Sequence, residues 1–250
     1  KCSDDMLWLP YVCVIYSRFT DDRNFWNVEI PYLLAEKLSE AEKERYISPS
    51  KSEFKESLLY HCIRAVDYSL KFGQNGLPLI GSCDWNDGLS NLEGAESVWL
   101  AMFLKIVLDG MAEVCRNNGL SQKADEYERI SDKLSDDIEK KSWAGDRYAR
   151  AILKNGEFLG ADKDFIDILP QAFAVFADIG APERQNTAIN TALNQVYNRE
   201  KRVSSCTNPS RTFLLYATSS SNGLFIVGYF VLMIQPNLFK IFNCPDLIAS

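Results

Sequence analysis

Residues 96–119 read Glu96-Ser97-Val98-Trp99-Leu100-Ala101-Met102-Phe103-Leu104-Lys105-Ile106-Val107-Leu108-Asp109-Gly110-Met111-Ala112-Glu113-Val114-Cys115-Arg116-Asn117-Asn118-Gly119. Met102, Leu104, Leu108, Met111 and Cys115 supply the apolar positions of a helix that follows Glu96-Ser97, and Asn118-Gly119 ends it. Ser121 starts another, with Ala124, Tyr127, Ile130, Leu134 and Ile138 on one face and many charges on a solvated face. Upstream, Ser50-Lys51-Ser52-Glu53 reads as a capping box. Leu58, Cys62, Val66 and Leu70 then recur every four residues and Gly73 closes the run, which predicts a helix from about Ser52. Downstream, a helix is expected from Leu169 to Phe176, stopping at Gly180. Ala181-Pro182-Glu183 opens the next, with proline in its first turn and Ala188, Ala192, Leu193 and Val196 as its buried stripe.

Between these helical stretches the pattern changes once. Tyr148-Ala149-Arg150-Ala151-Ile152-Leu153 meets Asn155-Gly156 and then Glu157-Phe158-Leu159, a hairpin signal. Several helices of similar length, short loops and one small hairpin give an all-α domain. Two concentric helical layers, an α/α barrel, would gather the loops around a cleft at one end; the pattern alone does not separate that from a solenoid.

The chain of 250 residues can bury a full core in one large domain, or two at most. A net charge of −7 argues against binding to a phosphate backbone, so no nucleic-acid partner is expected. The seven cysteines (Cys2, Cys13, Cys62, Cys83, Cys115, Cys206 and Cys244) are odd in number and scattered, with no Cys-x-x-Cys, and His61 is the one histidine. That composition argues against a zinc site and against a disulfide framework, and it fits reduced thiols in the cytoplasm. His61 and Cys62 are expected to have packing or surface roles. No signal peptide is visible, and the start at Lys1 reads as the middle of a larger protein.

After about Arg202 the character shifts. Ser204 to Ser221 is rich in serine and threonine, and Leu224 to Ile234 is wholly apolar. That run is short for a membrane span, which needs about 20 apolar residues, and Ser219-Ser220-Ser221-Asn222 interrupts any longer one.

The chemistry concentrates in Asp84-Trp85-Asn86-Asp87-Gly88. Asn75-Gly76-Leu77-Pro78-Leu79-Ile80-Gly81 leads into it, and the glycines and proline imply a tight loop. A carboxyl beside an aromatic face in a loop is how proteins grip and cleave sugars: the acid donates a proton and the ring stacks on sugar C–H groups. Spacing alone does not choose between Asp84 and Asp87. Asp84 is read as capping the loop through its carboxylate.

With Glu96-Ser97-Val98-Trp99-Leu100, this loop resembles glycoside hydrolase family 94, which holds the cellobiose-type phosphorylases and the phosphorylase-like domain of cyclic β-1,2-glucan synthases. Cys2-Ser3-Asp4-Asp5-Met6-Leu7-Trp8-Leu9-Pro10-Tyr11 resembles the family's entry into its barrel. Gly76 to Gly81 resembles the lead into its acid loop, and Tyr148-Ala149-Arg150-Ala151 its later hairpin. Ile166-Asp167-Ile168-Leu169-Pro170-Gln171 resembles the segment before an inner helix. These stretches lie in family order over residues 1–202. Glu42-Lys43-Glu44-Arg45-Tyr46, the helix from Ser52 and Ile166-Asp167 look closer to the cyclic-glucan and β-1,2-oligoglucan branch.

The resemblance implies an (α/α)6 barrel, incomplete here, within a larger multi-domain chain, and inverting phosphorolysis of a β-glucoside. The co-substrate is inorganic phosphate and no cofactor or metal is implied. Cleavage passes through an oxocarbenium-like state whose leaving oxygen must be protonated; anionic phosphate is itself the nucleophile, so no base is needed. The resemblance assigns the acid to Asp87 and places Trp85 in the donor-sugar pocket. Asp4 and Asp5 resemble an acidic pair of which one grips sugar hydroxyls. Glu96, Arg150 and Gln171 either line the cleft or hold the loop, and Cys83, where the family has a small residue, packs beside it. An oligosaccharide is the implied partner, and a homodimer is implied for the full-length parent.

The chain also departs from the family. The arginine expected upstream of the acidic pair is not in the chain, and the downstream Pro-Pro stretch, Gly-rich run and phosphate histidine are not matched. Residues 203–250 are therefore expected to be a non-family tail, out of frame or otherwise foreign, and the chain alone is expected to turn over little. The alternatives are an inverting hydrolase on the same barrel, or an inactive carbohydrate-binding or structural fragment.

Overall fold

The computed structural model describes residues 2–39, 42, 45–90, 92–161, 165–198, 203–205 and 214–216. The expected tail therefore lies outside the described residues except for two short strands, and so does the apolar run from Leu224.

Among the described residues six α-helices carry the fold, and three small antiparallel sheets join them. Helix α1 (Asp5–Thr20) is followed by strands β1 (Glu29–Leu34) and β2 (Ser50–Ser57), then α2 (Leu58–Ser69). Strand β3 (Glu96–Ser97) runs directly into α3 (Val98–Asn117), which is followed by α4 (Ser121–Lys141). Strands β4 (Ala151–Ile152) and β5 (Phe158–Leu159) precede α5 (Ile168–Phe176) and α6 (Pro182–Val196). Strands β6 (Tyr197–Asn198), β7 (Val203–Ser205) and β8 (Leu214–Tyr216) pair as a last sheet.

Helix α3 is the centre. It packs against α1, α4 and α5, and buries Val98, Trp99, Leu100, Met102, Phe103, Leu104, Leu108, Met111 and Cys115 among others. A helix apolar on nearly every side can be stable only with neighbours on every side. Ser97 caps it, its hydroxyl accepting from Leu100 N at 3.0 Å. Helix α4 turns Ala124, Tyr127, Leu134 and Ile138 inward, as its spacing predicts, while Ile130 is partly buried against the same core. In α6 Ala188, Ala192 and Val196 are buried and Leu193 is half-buried. The hairpin expected at Asn155-Gly156 forms between β4 and β5, with Gly156 at φ 86°.

Two expectations need correction. The helix expected from Ser52 begins at Leu58, and Ser50–Ser57 is instead β2, paired antiparallel with β1. The domain therefore has more than one small hairpin. Ahead of Leu58 the run has a single apolar residue, Phe54, which stacks on Tyr32 at 5.6 Å. Glu56 accepts from the Tyr32 hydroxyl at 2.6 Å. Ser52 Oγ accepts from Phe54 N, two residues on rather than three, so the apparent box is a local turn within an extended strand. Cross-strand contacts outweigh the capping pattern.

His61 and Cys62 have packing roles. The His61 ring stacks on Tyr32 at 4.0 Å, with Nε2 2.9 Å from Ile30 O, and Cys62 is fully buried. Among the described residues no helix is long and apolar enough to cross a membrane.

Candidate active site

The acid loop is built by two successive side-chain caps. Asp84 Oδ1 accepts from Asn86 N at 3.0 Å, and Asn86 Oδ1 accepts from Gly88 N at 3.0 Å. Asp87 opens a single 3₁₀ turn (Asp87–Leu89), closed by Leu89 N donating to Asn86 O at 2.9 Å. Leu89 is buried with Ile80, Ala95 and Ala151, which pins the far end of the loop. Trp85, beside Asp84 in the loop, is 52% exposed. The expected capping role of Asp84 is thus what the backbone displays.

Beneath the loop lies a buried charge cluster. Arg150 Nη2 donates to both Asp84 oxygens, at 2.6 and 2.7 Å, and Nη1 donates to Ser97 Oγ at 3.0 Å. Ser97 Oγ donates to Asp84 Oδ2 at 2.7 Å while accepting from Leu100 N, so its hydroxyl is fully used. Arg150 Nε forms an ion pair with Asp167 Oδ2 at 3.1 Å. Asp167 Oδ1 accepts from Leu169 N at 2.9 Å, capping α5. The acid loop is therefore bolted to the N-termini of two core helices through one guanidinium.

The electrostatics follow from burial. Burial alone would lower the Arg150 pKa, but the charges of Asp84 and Asp167 outweigh it and hold it above the usual range. Burial pushes the Asp167 carboxyl up, and Arg150 offsets this only in part. The guanidinium also lies 5.8 Å from the Trp99 ring centroid.

Glu96 secures the approach to the loop. Its Oε1 accepts from Asn75 N at 3.0 Å and Asn75 Nδ2 at 2.9 Å, and its Oε2 accepts from Leu77 N at 2.9 Å. The side chain passes so close to Gly73 that a Cβ there would lie 2.4 Å from Glu96 Cδ, so only glycine fits. Gln171 is equally committed. Its Nε2 donates to Tyr148 O and Asp167 O at 2.8 and 2.9 Å, and its Oε1 accepts from Tyr148 N at 2.8 Å. Glu96, Arg150 and Gln171 are all buried, and of their two expected roles these bonds are the ones that hold loops in place.

The N-terminal segment comes against the same loop. Ser3 N donates to Cys83 O at 2.9 Å, and Cys2 bridges both Gly81 and Cys83. This brings Asp4, 3% exposed, near Asp84. Asp4 Oδ2 accepts from Trp8 Nε1 at 2.9 Å, while the buried Oδ1 has no hydrogen-bond partner. Burial raises the Asp4 pKa, the Trp8 bond lowers it in part, and the nearby Asp84 and Asp5 charges raise it again. Asp5, in the first turn of α1, is exposed.

Residues 1–213 match the family described as the glycosyl hydrolase 94 superfamily, catalytic domain. The chain belongs to that superfamily. It is 29% identical over 208 residues to the cyclic beta-(1,2)-glucan synthase NdvB of Rhizobium meliloti (strain 1021), covering 80% of this chain and 7% of that protein. It is 27% identical over 135 residues to the 3-O-beta-D-glucopyranosyl-beta-D-glucuronide phosphorylase of Paenibacillus borealis, covering 51% of this chain and 18% of that protein. With the N,N'-diacetylchitobiose phosphorylase of Vibrio furnissii the identity is 26% over 163 residues, covering 64% and 18%. The chain thus spans a small part of each of these relatives.

Within this family-94 domain, sequence reasoning did not single out Ser97, Asp167 or Asn75 as partners of the loop. Each carried a local signal: Ser97 and Asp167 precede helices as capping residues do, and Asn75 precedes a glycine. What no local pattern gave was their meeting at Arg150 and Glu96.

Proposed function

We propose that the domain carries the proton-donating half of an inverting glycoside phosphorylase acting on β-glucosides of the β-1,2-gluco-oligosaccharide or cellobiose type. The observation that carries the reading is the acid loop held from below by Arg150, with Asp4 alongside it. Asp87 is the general acid that protonates the leaving glycosidic oxygen. Trp85, exposed in the loop, offers its ring to the donor sugar. The unpartnered Asp4 Oδ1 accepts a hydrogen bond from a sugar hydroxyl, with Asp5 at the rim. Glu96, Arg150 and Gln171 act on the substrate through the loop they position. Inorganic phosphate attacks the anomeric carbon from the opposite face, so a β-glucoside yields an α-glucosyl phosphate. The helices belong to an (α/α)6 barrel, and the full-length parent works in the cytoplasm as a homodimer.

The test is phosphate dependence. The full-length parent, given β-1,2-gluco-oligosaccharides and cellobiose, is expected to release sugar 1-phosphate only when phosphate is present. Free glucose at the same rate with and without phosphate would make the enzyme a hydrolase instead. The isolated chain is expected to release little of either.

A further inference from the structure

Cys2 and Cys83 are 81 residues apart in sequence, yet their Sγ atoms lie 2.8 Å apart. Backbone contacts set this approach. Cys2 and Cys83 are paired in a parallel bridge, and Ser3 binds Cys83 O through both its amide, at 2.9 Å, and its hydroxyl, at 3.2 Å. Paired residues in a bridge stand on the same side. Bridged backbones lie about 4.7–4.9 Å apart, inside the roughly 4.4–6.8 Å Cα range that a disulfide spans. Both residues are thiols here. Cys2 is only partly buried, whereas Cys83 is 8% exposed. Cys13 and Cys62 are also free thiols, sharing a hydrogen bond, but at 5% and 0% exposure both are buried in the core and neither offers the accessible sulfur that Cys2 does.

We propose that Cys2 and Cys83 form a thiol–disulfide exchange site that accepts a low-molecular-weight disulfide and closes a covalent link onto the acid loop. The Cys2 thiolate, the accessible partner, attacks one sulfur of the reagent, forming a mixed disulfide and releasing one thiol. The Cys83 thiolate then attacks Cys2 Sγ and expels the second. Two protein S–H bonds and the reagent's S–S bond are lost; one protein S–S bond and two reagent S–H bonds form. The link joins the segment that carries Asp4 and Asp5 to the residue preceding Asp84, so oxidation fastens the two acidic segments together. Chemistry at the thiols does not depend on which sugar, if any, the loop handles.

The experiment treats the reduced chain with oxidised glutathione and maps its peptides by mass spectrometry without reduction. The expected product is a peptide linking Cys2 to Cys83, with the protein lighter by two hydrogens and restored by dithiothreitol. Cys83→Ser should trap glutathione on Cys2, and Cys2→Ser should prevent uptake at either position. Amide hydrogen exchange of residues 84–89 should slow on oxidation. Glutathione persisting on Cys2 of the unaltered chain, or linkage only among other cysteines, overturns the proposal. Unchanged exchange at residues 84–89 overturns the claim that the link fastens the loop.

Discussion

Arg150 Nη2 lies 2.6 Å from Asp84 Oδ1 and 2.7 Å from Oδ2, with the two side chains 1% and 0% exposed. A buried pair of this kind is weak grounds for net stability against an apolar replacement of both partners, but removing one partner strands the other charge away from water.

Arg150→Met is therefore expected to destabilise the domain by about 3–5 kcal/mol, read as a lower urea midpoint at neutral pH. Asp84→Asn combined with Arg150→Met should lose less than the two single changes summed, because each single change includes the cost of the stranded partner. Strictly additive losses would show that the cluster does not act as a unit.

Glu96→Gln tests how the approach to the loop is held. The carboxylate accepts three hydrogen bonds, two from backbone amides. A glutamine must present an NH₂ donor to at least one of those donors. The expected loss is about 1–3 kcal/mol, with faster amide exchange at Asn75 and Leu77. Unaltered exchange at both would mean that the loop is held by other means.

The helices and the 155–156 hairpin were legible because they rest on local signals: apolar spacing in α3 and α4, Pro182 at the start of α6, and Asn155-Gly156. Strand β2 was not, because Ser50-Lys51-Ser52-Glu53 satisfies a capping pattern and the overriding force, pairing with β1, comes from outside the window. At the candidate site, Asp84, Glu96, Arg150 and Gln171 were all visible as residues worth naming. Their partners were not, since Arg150 and Asp84 are 66 positions apart and only the fold closes that distance.

Part of the acid sensitivity should come from Glu56, whose pairing with the exposed Arg64 is screened by solvent and therefore modest in weight. The Arg64 guanidinium, and then the Tyr32 hydroxyl, hold its carboxyl down to about 2 from an ordinary 4.5. The folded pKa is depressed, so the stabilisation is complete above the unfolded value and is lost as pH falls from about 4.5 toward about 2. Glu56→Gln should make the stability profile slightly less steep in that window and leave the region above pH 6 nearly parallel to the original. An unaltered profile between those values would remove Glu56 from the account.

Leaving-group dependence decides whether Asp87 or Asp84 donates the proton. A general acid contributes typically 10²–10⁴-fold, and only where the leaving oxygen needs the proton. In the full-length parent, Asp87→Asn should slow phosphorolysis of a natural β-glucoside by about that factor. It should slow an aryl β-glucoside with a good leaving group far less, and the basic limb of the pH–rate profile should disappear. Asp84→Asn acts differently, because Asp84 anchors the loop to Arg150 and caps Asn86. A loosened loop misplaces every group on it, so both substrates should slow together and the basic limb should remain. If Asp84→Asn instead discriminated between the leaving groups and Asp87→Asn did not, the proton donor would be Asp84.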